Sequence, residues 1–155
     1  MFRIYKNDSV IVEGESPLVI TGLDPNTEVS KGEYQVVRLE SDRESNRVDI
    51  PAFTTLPISV TGVTISPRTS TATAGESGSR QLTATIEPEN ATNKNVTFET
   101  ENVEGLSVSQ NGLLTWTENT PAGIYTTTVT TEDGEYTATH TLTLEEPEPE
   151  PEEGD

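Results

Sequence analysis

Residues 122–144 read AGIYTTTVTTEDGEYTATHTLTL, and this stretch decides the fold. In its second half Tyr136, Ala138, His140, Leu142 and Leu144 alternate with a row of threonines. A two-residue period puts successive side chains on opposite sides of the backbone, which is the signature of a half-buried strand. Asp133-Gly134 separates this run from TTTVTTE, and both residue types can adopt positive φ, so the pair is a strong hairpin signal. Upstream, Leu82, Ala84 and Ile86 alternate with Thr83 and Thr85, giving one face for a core and one for water. Threonine dominates the chain, at 26 of 155 residues, while hydrophobic residues make up 30%. Being β-branched and polar, it suits strands with one wet face.

Runs of the same kind surround the hairpin in order: VTGVTISP at 60–67, QLTATIEPENATNKNVTFET at 81–100 and NGLLTW at 111–116. Together they predict a sandwich of about seven strands over residues 58–144. This segment resembles the bacterial Ig-like group 2 family, and its matching residues stand in the family's order. They are Val63, Ile65 and Pro67, then Leu82, Ala84, Ile86 and Pro88, then Ala91-Thr92, Val96 and Phe98, and finally Asn111-Gly112 and Ala122-Gly123.

Thr55-Leu56-Pro57 marks a seam, because Pro and small polar residues commonly join domains. Before it, residues 1–57 predict short strands near 2–6, 9–13, 17–22, 33–41 and 47–54. Turn signals lie at Asn7-Asp8, Asp24-Pro25-Asn26 and Ser41-Asp42. SPLVITGLDPNTEVSKGEYQVV, residues 16–37, resembles the second half of a fibronectin type III domain through Gly22, Leu23, Pro25, Thr27 and Tyr34. RESNRVDIPAFTT, residues 43–55, resembles its closing strand through Ser45 and Thr54. The family's first two strands are absent, which leaves an edge or an apolar face to be covered. In YQVVRLES, Tyr34 and Val36 face one way and Val37 and Leu39 the other. Either the second pair packs under a neighbouring strand, or a partner completes the module.

The fold class expected is therefore all-β: a small incomplete fibronectin-like module, an Ig-like β-sandwich, and a disordered acidic tail. In that tail, residues 145–155, alternating Pro and Glu remove backbone donors and set like charges side by side.

Residues 1–57 carry 6 basic and 10 acidic groups, residues 58–144 carry 3 and 10, and the tail carries 7 acidic groups, for a net −18. Such a field repels nucleic acid and anionic membrane, so neither is expected as a partner. Without cysteine, stability rests on packing or assembly. No run approaches a membrane span, and Arg3, Lys6 and Asp8 punctuate the start where a signal peptide would be apolar. Asn7-Asp8-Ser9, Asn90-Ala91-Thr92 and Asn95-Val96-Thr97 read as chance glycosylation matches in a Thr-rich chain.

Catalytic chemistry finds little footing. His140 is the one imidazole, expected as a half-buried packing residue, and Trp116, alternating with Leu114, is expected in the core. One His and no Cys leave no zinc or copper site, and no Gly-rich loop precedes a helix. Glu132-Asp133-Gly134-Glu135 and Glu99-Glu101 sit at loop ends but lack ordered calcium-ligand spacing. No enzyme, cofactor or metal is expected.

The two-module layout resembles virion proteins of tailed bacteriophages, which assemble in the host cytoplasm and reach the outside at lysis. That resemblance implies a virion-surface protein, with a capsid decoration protein expected ahead of a tail-associated one. Its first module would anchor on the major capsid protein lattice, or on a tail tube protein, through Arg3, Lys6, Val37, Arg38, Leu39, Arg43 and Arg47. The Ig-like module would project outward, with self-association on the particle and weak host-surface carbohydrate binding as further possibilities. A fragment of a bacterial surface adhesin and a carbohydrate-binding accessory module are the alternatives.

Overall fold

The computed structural model describes residues 1–41 and 43–149, which form sixteen strands and, among the described residues, no helix. They fall into two units, Met1–Ile58 and one from Ser59 onward.

In the first unit, β1 (Phe2–Lys6) and β2 (Ser9–Gly14) form a hairpin over Asn7 and Asp8. Both turn residues have positive φ, +47° and +63°, which is why an Asn-Asp pair stands there. Then come β3 (Glu28–Val29), β4 (Tyr34–Glu40), β5 (Arg43–Glu44), β6 (Val48–Asp49) and β7 (Phe53–Thr54). The main sheet runs β2-β1-β4, and β5 and β6 both lie along the far side of β4. Ile4 stands opposite Val12 and Val36, so the three share a face. On that face Ile4, Val29 and Tyr34 form the buried cluster, with Val12, Leu18, Ile20, Leu23, Val36, Ile50 and Phe53 packed against it. The opposing layer is slight, consisting of the two-residue pair β3–β7 and the extended run 18–21.

Two expected strands differ. The run at 17–22 joins no sheet. The strand expected at 47–54 splits into β6 on the main sheet and β7 in the opposing layer. Pro51, with no N–H to give a ladder, lies between them. The turn signal at Ser41-Asp42 includes Asp42, which lies outside the described residues.

The second unit contains β8 (Gly62–Ser66), β9 (Thr69–Thr73), β10 (Gly78–Gln81), β11 (Thr83–Glu87), β12 (Val96–Thr100), β13 (Leu106–Val108), β14 (Leu113–Trp116), β15 (Gly123–Thr131) and β16 (Thr137–Glu145). One layer is β12-β15-β16-β9, antiparallel except for the parallel β16–β9 pair. The other joins β8–β11 to β10-β14-β13 through the single run 78–87, interrupted at Leu82. Ile65, Leu82, Phe98, Leu106, Leu114, Trp116, Tyr125, Val129, Leu142 and Leu144 fill the space between. All but Leu82, which lies at the break between β10 and β11, stand at the inward phase of their strand's alternation. This is the all-β Ig-like architecture expected.

The central hairpin forms with a different turn. Thr131 N donates to Tyr136 O at 2.9 Å, closing a four-residue loop over 132–135. Positive φ falls on Gly134 and Glu135, not on Asp133. Asp133 is otherwise engaged: its carbonyl accepts from Thr131 Oγ1 at 2.8 Å and its carboxylate from Val60 N at 2.9 Å. Glu145, placed in the tail by composition, is the last residue of β16 opposite Thr73. The tail's expected disorder at 150–155 lies outside the described residues.

Candidate docking site

The seven anchor candidates lie in the first unit, but they do not form one open surface. Val37 stands opposite Arg3 on the face of the sheet away from the buried cluster, and it is only 1% exposed. The chain's own return seals it. Ser45 N donates to Arg38 O and Arg38 N to Ser45 Oγ, which folds residues 43–45 back along β4. Glu44 then reaches over the sheet, accepting from Tyr5 Oη at 2.6 Å and pairing with Arg3. Val37 is thus buried within the unit, while Leu39 stays half-exposed.

The cations are largely engaged within the unit. Arg3 also pairs with Glu13 at 2.6 Å, and Lys6 with Glu33 at 3.0 Å. Arg47 pairs with Asp8 and lies over the Tyr5 ring, 4.2 Å from its centroid. Arg38 is exposed and 3.9 Å from Glu40. Arg43 is exposed on β5. Exposed ion pairs stabilise little, because water and salt screen them. Their consequence here is electrostatic, because each neutralises a cation that composition alone presents as free.

The same network sets a pH response. The Tyr5 hydroxyl and then the Arg3 guanidinium hold the Glu44 carboxyl below its usual range, and Lys6 does the same for Glu33. Lys6 is held above its usual range, first by the Tyr34 hydroxyl and then by Glu33. Carboxyls depressed on folding contribute stability above their unfolded value, here 4.5, and lose it as pH falls through the folded values. The urea midpoint of the first unit, followed by its own NMR resonances, is therefore expected to fall between pH 6 and pH 3. Glu44→Gln should shrink that fall, and an unchanged pH response would show that the pair does not matter.

On the opposite face lies an apolar cleft of about 210 Å³, lined by Phe2, Ile4, Ser16, Leu18, Val36 and Ile50. No strand pattern in the sequence announces this cleft. It exists because the extended run 16–20 only partly roofs the sheet.

In the second unit, His140 is fully buried rather than half-buried, at 0% exposure. Its Nδ1 lies 2.8 Å from the Pro67 carbonyl, so Nδ1 carries the proton and donates. No substrate can reach this imidazole. Trp116 is buried in the core, as expected. Glu132 accepts from Asn95 and Asn93, at 2.8 and 3.2 Å, and is held below the usual carboxylate range by them. Glu101 accepts from Thr126 N at 2.9 Å, just past the end of the β12–β15 ladder. Among the described residues no group of three or more His, Cys, Asp or Glu could hold a metal ion.

The family model of the bacterial Ig-like domain (group 2) matches residues 59–142. No curated protein matches the chain. Similar solved structures include the N-terminal eight Ig domains of Down Syndrome Cell Adhesion Molecule, 16% identical, covering 94% of this chain and 22% of that one, TM-score 0.45. Mouse clustered PcdhgC3 EC1-3 is 13% identical over 96% of this chain and 52% of that one, TM-score 0.47. BT4661, a SusE-like surface located polysaccharide binding protein from Bacteroides thetaiotaomicron, is 14% identical over 79% and 19%, TM-score 0.40. The chain thus spans between about a fifth and a half of the length of these proteins.

Proposed function

The chain belongs to the bacterial Ig-like group 2 family through residues 59–142, and on that premise we propose that it is a non-enzymatic structural protein of a tailed-bacteriophage particle, a capsid decoration protein at the virion surface. The first unit docks on the major capsid protein lattice. The Ig-like unit is displayed outward, where it offers weak adhesion to host-surface carbohydrate. Bound copies stabilise the shell modestly by mass action on the assembled state.

The observation that carries this reading is the inequality of the two units. The second closes both layers of its sandwich around eleven buried hydrophobic residues. The first gathers three in its core cluster, with Tyr5 and Val37 buried on the other face of the sheet, and its opposing layer has paired strands only two residues long. A module of this size with so small a core gains most from a surface that covers it. With Arg3, Lys6 and Arg47 engaged inside the unit, docking relies on apolar and backbone groups more than on net charge.

The test uses purified particles lacking the protein. The full chain is expected to co-sediment with them, and a fragment beginning at Ser59 to fold alone yet stay in the supernatant. A fragment that binds as well as the full chain overturns the assignment of the anchor. Electron microscopy of decorated particles then separates head from tail, and absence of binding by the full chain returns the protein to the adhesin reading.

A further inference from the structure

Residues 18–21, Leu-Val-Ile-Thr, cross the core of the first unit between a bend at 15–17 and Gly22, whose φ is +77°. Leu18, Ile20 and Leu23 pack inward, while Val19, at 66% exposure, and Thr21 face solvent. Over 18–21 that is a strand's alternation without a strand's pairing, and Leu23, beyond the positive φ of Gly22, falls out of its phase. Among the described residues, no backbone hydrogen bond joins any of 17–23 to another part of the chain. Extended backbone ordinarily finds its donors and acceptors a neighbour, and here the neighbour is missing. Beside the run opens the apolar cleft of Phe2, Ile4, Ser16, Leu18, Val36 and Ile50.

We propose that Leu18–Thr21 is the receiving edge for a β-strand supplied by another protein. That strand hydrogen-bonds to the unpaired backbone and sets alternate apolar side chains into the cleft. This mode of recognition draws affinity from main-chain bonds and specificity from pockets for every second side chain. The inference rests on the docking reading above and names the element that docks.

Charge defines the donor. Residues 13–28 hold four carboxylates and no cation. Glu13 is paired with Arg3 and Glu15 with the amino terminus, whereas Asp24 and Glu28 have no cationic partner among the described residues. The donor strand therefore carries Lys or Arg at the end lying by Asp24. A second copy of this chain, at −18, brings the wrong sign.

The experiment is amide hydrogen exchange on the full chain, free and bound to particles lacking the protein. The free chain should show no protection at Leu18–Thr21, and the bound chain at least tenfold slowing there. Val19→Pro and Thr21→Pro delete donors that no internal bond uses, so the fold is retained and particle affinity should drop at least tenfold; Val19→Thr keeps the donor and should bind within threefold of the original. A chain that binds particles while Leu18–Thr21 exchange at the free rate overturns strand addition and leaves docking intact. If the original chain binds no particle, docking itself fails. Strand addition is then decided by selecting ten-residue peptides of alternating apolar residues with the full chain. Capture abolished by Val19→Pro and Thr21→Pro upholds it, and no such capture ends it.

Discussion

Trp116→Ala is expected to destabilise the second unit by about 3–5 kcal/mol, the range for emptying a buried aromatic site. Trp116 lies on β14 at 6% exposure, inside the main core cluster. Its cross-strand partner is Gly78, and a Cβ built there would fall inside van der Waals contact of the indole ring. The ring thus lies directly on the β10 backbone, with the buried Leu106 of β13 opposite on its other side. At roughly 4–8 °C per kcal/mol for a domain of 60–100 residues, the melting temperature should fall by more than about 12 °C. Calorimetry of the full chain would read this, with Trp116→Phe losing less. Ile124→Ala, at a side chain 69% exposed, should stay within about 0.5 kcal/mol. A Trp116→Ala melt near the original would mean that the indole does not hold the two layers together.

Why Trp116 could be placed from sequence alone is a matter of range. Leu114 and Trp116, like Leu82 and Ile86 or Leu142 and Leu144, announce their side of the strand through residues two positions away, and the second unit is built almost wholly from such runs. What local alternation could not convey was the turn. Asp133-Gly134 predicted a two-residue loop, and the loop has four. Asp133 is drawn to Val60, 73 residues away, and no local rule knows of that demand.

The first unit shows the same limit on a larger scale. Arg3, Lys6 and Arg47 looked free because their carboxylate partners are far along the chain: Glu44 is 41 residues from Arg3, and Asp8 is 39 from Arg47. Val37 looked available because both faces of β4 carry apolar residues, yet the segment that covers it is polar and arrives through Glu44 and Ser45. The run at 17–22 had the alternation of a strand, and the structure keeps that alternation. Pairing, though, belongs to two segments, and no described residue pairs with this one. The unpaired edge and the cleft beside it needed the fold.

Gly112→Ala should strongly destabilise the second unit. Gly112 has φ +76°, and a left-handed backbone costs an L-residue about 1–2 kcal/mol. A Cβ there also falls inside van der Waals contact of the Leu82 carbonyl oxygen and 2.9 Å from Phe98 Cζ, and overpacking of this kind adds about 1–3 kcal/mol. Moving the turn away gives no relief. The Gly112 carbonyl accepts the Leu82 N–H at 2.8 Å, at the point where the run 78–87 is interrupted and Leu82 is buried. Withdrawal would strand that donor, at a further cost of about 1–3 kcal/mol. Gly75 supplies the control within the same unit: its φ is +83°, and a Cβ there meets nothing within 4 Å. Gly75→Ala therefore reports backbone strain alone, and the gap between the two variants' melting temperatures measures the clash with Leu82 and Phe98. That gap is expected to exceed about 4 °C, from a clash of at least about 1 kcal/mol. Equal melting temperatures would show that the 109–113 turn can draw back freely, so that the Gly112–Leu82 bond does not join the two pairings of the second layer.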